Sequence, residues 1–124
     1  MLRYLVKSWL LILYCDVLMH FRGFEHVHRA VRSETVSSKE RETGSYAALC
    51  HAMDLACVFY FKRVLCLQRS AATALLLKRF GWSAELVIGA QLLPFESHAW
   101  VEIDRRVVND KPYITEIYQE LERC

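Results

Sequence analysis

Gly81 marks a change of period in this 124-residue chain, and no other feature restricts the fold as much. Over residues 67–80, Ala71, Ala74, Leu75 and Leu77 recur at helical spacing, and Gly81 terminates the run. Beyond it, Leu86, Ile88, Ala90 and Leu92 alternate with Glu85, Val87, Gly89 and Gln91, as a strand requires. Pro94 ends that strand. Residues 98–103 and 106–109 read as two more, joined around Asp104. Helices followed by an antiparallel meander make the class α+β, with N-terminal helices packed on a small antiparallel sheet.

The first half is helical. Residues 2–20 read as one helix, apolar on most sides through Leu2, Leu5, Val6, Trp9, Leu10, Leu13, Val17 and Leu18. Such a helix is deeply buried or docks a partner or a membrane. Its longest unbroken apolar run, residues 9–15, is short for a bilayer span, which takes roughly 18 residues. Gly23 breaks the pattern, and a short helix over 25–31 follows. Residues 33–44 are polar and read as a loop, and 45–61 return to helical spacing. Residues 113–123 fit either a strand or a short helix. We expect one domain over 1–124: a helical part to residue 62, then, over 63–124, one further helix with antiparallel strands.

With 54% hydrophobic and 24% charged residues, the chain is globular. A net charge of +2 with no concentrated basic patch speaks against nucleic acid. Five cysteines without regular spacing, and no signal-type cleavage site after the first apolar run, point to free thiols in a reducing, cytoplasmic setting. His20, His26, His28, His51 and Cys50 match no four-ligand zinc spacing, and no glycine-rich phosphate loop is present.

Three residues carry the chemistry. Cys66 opens a helix, where the helix dipole lowers a thiol pKa and unpaired N–H groups can hold an oxyanion. His98 lies on a strand whose face it shares with Trp100 and Glu102; Ala99, Val101 and Ile103 face the core. A three-residue turn centred on Asp104 sets Asp110 directly opposite His98, about 5 Å away. A two-residue turn sends it to the other face. Glu102 and Asp104 lie too far along the strand to orient the ring. Taken singly, each residue also has an ordinary role: a buried thiol, a core histidine, a turn-closing aspartate before Pro112. Cys66, Arg69, Ser70 and Thr73 form one polar stripe, which should border a cleft or meet a polar neighbour.

Read in order, Cys66-Leu67-Gln68-Arg69-Ser70, Leu75 to Gly81, Leu86-Val87-Ile88-Gly89, His98-Ala99-Trp100-Val101-Glu102 and Val107-Val108-Asn109-Asp110 resemble the leader peptidase of lasso peptide biosynthesis. That family is a transglutaminase-like, papain-related group of cysteine peptidases. The resemblance covers about the C-terminal half. It implies a papain-like core with Cys66, His98 and Asp110 as nucleophile, base and orienting acid. Gln68, Arg69 and Trp100 are then expected in the substrate cleft, without assigned roles. It also implies a leader–core precursor peptide as substrate and no metal or organic cofactor. A separately encoded leader-recognition protein is expected because the chain has no room for one, and an ATP-dependent macrolactam synthetase would act next. Arg105 departs from the glycine expected in the hairpin turn. The same three residues also support acyl transfer or deamidation, and a non-catalytic binding module of this fold is the third reading.

Overall fold

A computed structural model describes residues 2–36, 46–92 and 94–124. Four helices precede the sheet: α1 (Leu2–Phe21), α2 (Phe24–Ser33), α3 (Tyr46–Phe59) and α4 (Cys66–Arg79). Then come β1 (Ala84–Leu92), β2 (Phe95–Ile103), β3 (Arg106–Val107), the short helix α5 (Ile114–Ile117) and β4 (Gln119–Arg123). The class is α+β, as expected. Most of the expected loop at 33–44 lies outside the described residues; its first residue, Ser33, closes α2.

The change of period at Gly81 has a local cause. Gly81 has φ 89°, its N–H donates to Lys78 O at 3.1 Å, and the Trp82 N–H donates to Leu77 O at 2.9 Å. This Schellman arrangement closes α4 and turns the chain into β1.

The sheet order is β3-β2-β1-β4, with every neighbouring pair antiparallel. This corrects the simple meander. The ambiguous C-terminal segment forms both a helix and a strand, and the strand lies on the far edge, beside β1. The crossing from β3 to that edge carries α5 over one face of the sheet. Ile114 there packs against Val87 and Trp100, with Val107 and Tyr118 at the margin. On the opposite face Leu86, Ala99, Val101 and Ile103 meet the main core, built from Leu11, Ile12, Cys15, Leu49, Met53, Leu75 and Leu77 of the helices. The sheet is therefore covered on both faces, which explains why Leu86 and Val87 are both fully buried.

Deep burial of α1 is only half right. Ser8, Leu11, Ile12 and Cys15 are inside, whereas Leu2, Val6, Leu10, Tyr14, Val17 and Phe21 are exposed. The unbroken run also understated the helix: all 20 residues together are long and apolar enough to cross a bilayer by length and composition.

Candidate active site

Cys66 is the first residue of α4 and is exposed. Leu65 precedes it in extended conformation, and no side chain caps the helix. The first-turn N–H groups thus have no intrahelical acceptor and no capping side chain. Among the described cysteines Cys66 stands out by exposure. Cys15 and Cys50 are buried, and burial pushes their thiols up to about 12 and about 11.

One turn after Cys66, the Ser70 hydroxyl donates to Ala99 O at 3.0 Å, pinning α4 to β2 beside His98. The polar stripe read from the sequence has this partner. Thr73, further along it, donates to its own helix at Arg69 O, 2.7 Å away.

His98 Nε2 lies 2.6 Å from Asp110 Oδ2. The route by which Asp110 arrives differs from the expected one. The β2–β3 turn has two residues, Asp104 and Arg105, both with positive φ, and Ile103 pairs with Arg106 and Glu102 with Val107. In a regular ladder this register aims Asp110 away from His98. The ladder does not continue. Val108 N–H donates to Val101 O at 3.0 Å, but the Val101 N–H is taken by the Asn109 side chain, Oδ1, at 2.7 Å. The chain bends at residues 108–110, and strand parity no longer governs where Asp110 points. Asn109 Nδ2 also donates to Ser70 Oγ at 3.0 Å, so one amide ties together the helix of Cys66, the strand of His98 and the bend of Asp110.

Burial works against the negative charge of Asp110. The hydrogen bonds from His98 and the Lys111 N–H, with the nearby charges of His98 and Arg69, outweigh it and hold the carboxyl below its usual range. Arg69 pairs with Asp54 of α3 and donates weakly to Asn109 O at 3.5 Å. It lines a cleft of about 380 Å³ with Asp54, Cys57, Val58, Arg63 and Val64, next to the start of α4.

The other two expected cleft residues lie inside. Gln68 is buried, and Trp100 is 1% exposed. Trp100 therefore presents almost no surface in this structure. Its indole N–H donates to Glu102 at 2.8 Å, and buried Glu102 pairs with Arg123 of β4 at 3.0 Å. Trp100 backs His98, with ring centroids 6.2 Å apart.

Sequence reasoning passed over Tyr118. Its ring stacks on His98 at 5.2 Å and an interplanar angle of 24°, and its hydroxyl donates to Glu96 at 3.3 Å. Desolvation and the charge and hydrogen bond of neighbouring Glu96 raise its pKa, with smaller contributions from Cys66 and Asp110. Only the crossing of α5 over the sheet brings Tyr118 here. Tyr118, 20 residues beyond His98, gave no periodic signal.

Residues 9–123 match the model of the transglutaminase-like superfamily. A 47-residue segment is 45% identical to the microcin J25-processing protein McjB of Escherichia coli, covering 38% of this chain and 23% of that protein. The match thus spans under a quarter of that relative's length. No solved structure matches. With nearly the whole chain, helices and sheet alike, inside the matched region, the chain belongs to the transglutaminase-like superfamily.

Proposed function

We propose that this chain is a cysteine peptidase that removes the leader from a lasso peptide precursor, freeing the core N-terminus for ring closure. The observation that carries the reading is the 2.6 Å His98–Asp110 bond, on a strand bonded to the helix that Cys66 opens. The segment similar to a microcin-processing protein supports the substrate class.

With Nε2 engaged by Asp110, Nδ1 of His98 is the nitrogen left to take the Cys66 proton. The thiolate Sγ attacks the carbonyl at the leader–core junction, and the uncapped first turn of α4 meets the developing oxyanion. His98 returns the proton to the leaving amine, which departs as the core N-terminus. Water then adds to the thioester, His98 accepts its proton, and the leader carboxylate leaves. Asp110 keeps the imidazole oriented and stabilises its charged form. The substrate-facing role falls to Arg69, which lines the cleft beside α4. The reading includes a separate leader-recognition protein, a macrolactam synthetase acting next, and a single domain in a reducing cytoplasm.

Superfamily membership favours one second reading, in which an amine instead of water resolves the acyl-enzyme. The test is a leader–core precursor incubated with its recognition protein and either wild type or Cys66→Ala, followed by mass spectrometry. Wild type should cut one junction, and Cys66→Ala none. Mass changes without chain cleavage would favour acyl transfer. No turnover, together with a Cys66 that resists alkylation at pH 6, would refute both catalytic readings.

A further inference from the structure

The first helix is apolar on the wrong side. Ser8, Leu11, Ile12 and Cys15 form its buried stripe, and Ser8 Oγ finds no hydrogen-bond partner there among the described residues. Leu2, Val6, Leu10, Tyr14, Val17 and Phe21 recur at spacings of three and four on the opposite face, all exposed. A helix that only served the core would turn its serine out and its leucines in.

The charges on α1 are as one-sided as its side chains. Apart from Asp16, the acidic and basic side chains of α1 are Arg3, Lys7 and His20, all exposed. Asp16 is occupied: it accepts from Tyr60 Oη at 2.9 Å and pairs with Lys62 at 3.1 Å. The same contacts set the end of α3 beside α1, where Tyr60 packs on Trp9 at 5.4 Å. That neighbouring turn adds exposed Val58, Phe59 and Phe61, followed beyond the paired Lys62 by exposed Arg63.

We infer that α1, with the adjoining end of α3, lies on a lipid bilayer surface bearing anionic headgroups. Aliphatic and aromatic side chains rimmed by cations, with the one carboxylate of the helix already paired, are complementary to such a surface. The helix lies on the bilayer and does not cross it, because its buried stripe is held in the core by α3 and α4. Six exposed apolar residues along 20 positions give the contact most of the length of the helix.

This inference is independent of the peptidase reading, since no step of it involves Cys66. The test is flotation of the purified chain with phosphatidylcholine vesicles, alone or with about one-third phosphatidylglycerol. Wild type should float with the anionic vesicles, much less with neutral ones, and less again as salt rises from ~0.1 to ~0.5 M. The pair Leu10→Glu and Val17→Glu, both at exposed positions, should weaken flotation about tenfold or more while leaving the circular dichroism spectrum unchanged. Arg3→Glu with Lys7→Glu should remove the preference for anionic lipid. Three results would overturn the inference: no flotation, equal flotation on both compositions, or flotation that the glutamate pair retains. A fourth is concentration-dependent dimerisation, abolished by the glutamate pair, without vesicle binding; the face would then belong to a second copy.

Discussion

Asp110 reaches His98 because Asn109 interrupts a ladder. The Asn109 amide accepts the Val101 N–H and donates to Ser70, replacing strand pairing with a bend. Asn109→Ala should cost about 1–3 kcal/mol, since it orphans a buried N–H, and urea denaturation measures the loss. Gly89 is a second position where one atom decides the packing. A Cβ there would sit 2.6 Å from the Trp100 ring and 2.9 Å from Gln119 O. Gly89→Ala should therefore destabilise by about 1–3 kcal/mol by pushing Trp100, the wall behind His98, or β4 out of place; a urea midpoint that does not move would contradict this. Asp110 itself carries an acid signature. Its folded pKa is depressed below 3.8, so its stabilisation is complete above that value and is lost as pH falls through the lower folded one. Below pH 3.8 the native chain should lose stability more steeply than Asp110→Asn does.

Among the elements, the β2–β3 hairpin is where the local chemistry departs furthest from preference. Both turn residues sit at positive φ, Asp104 at 51° and Arg105 at 65°. Two-residue turns of this kind favour Asn-Gly or Asp-Gly, because the twist of the strands demands that conformation. Arg105→Gly should stabilise the fold by about 0.5–1 kcal/mol, read as a higher denaturation midpoint, with no change in Cys66 alkylation. The tightness of this turn is also why the ladder register is the one that regular pairing would have made unfavourable for Asp110. Helix α4 shows the reverse case, in which its period and its stop signal agree although its N-terminus has no side-chain cap. Its apolar face, its start at Cys66 and its glycine stop were readable because each acts within a turn or two along the chain. The C-terminal segment was ambiguous for a related reason: a four-residue helix followed by a five-residue strand is too short for either period to show.

At the scale of the molecule, the five cysteines divide by depth. Cys15 and Cys50 are buried, and desolvation lifts them from the ordinary 9.0 to about 12 and about 11. Burial and the bond to Asp16 likewise lift Tyr60 to about 12. In each case the folded state holds a proton that the unfolded chain releases earlier. The stabilisation is complete below pH 9 and is lost as pH rises towards 11–12. Unfolding free energy should therefore be insensitive to these groups up to pH 9 and fall above it, less steeply in Cys15→Ala. Cys15 and Cys50 should also resist alkylation until the chain unfolds, whereas Cys66 reacts in the native state.

From the sequence alone followed what neighbours along the chain decide: the period of each long element, the glycine stop at 81, the thiol at a helix start, the face shared by His98, Trp100 and Glu102, and the departure at Arg105. Only the tertiary structure decided how Asp110 arrives, that Trp100 is buried behind His98, that Tyr118 stacks on His98, and that β4 pairs with β1. Each of these depends on a contact between segments far apart in the chain. Strand parity and residue character do not specify where a ladder stops or which edge a returning strand takes. Those outcomes follow from which arrangement leaves the fewest buried groups unpaired and the most apolar surface covered.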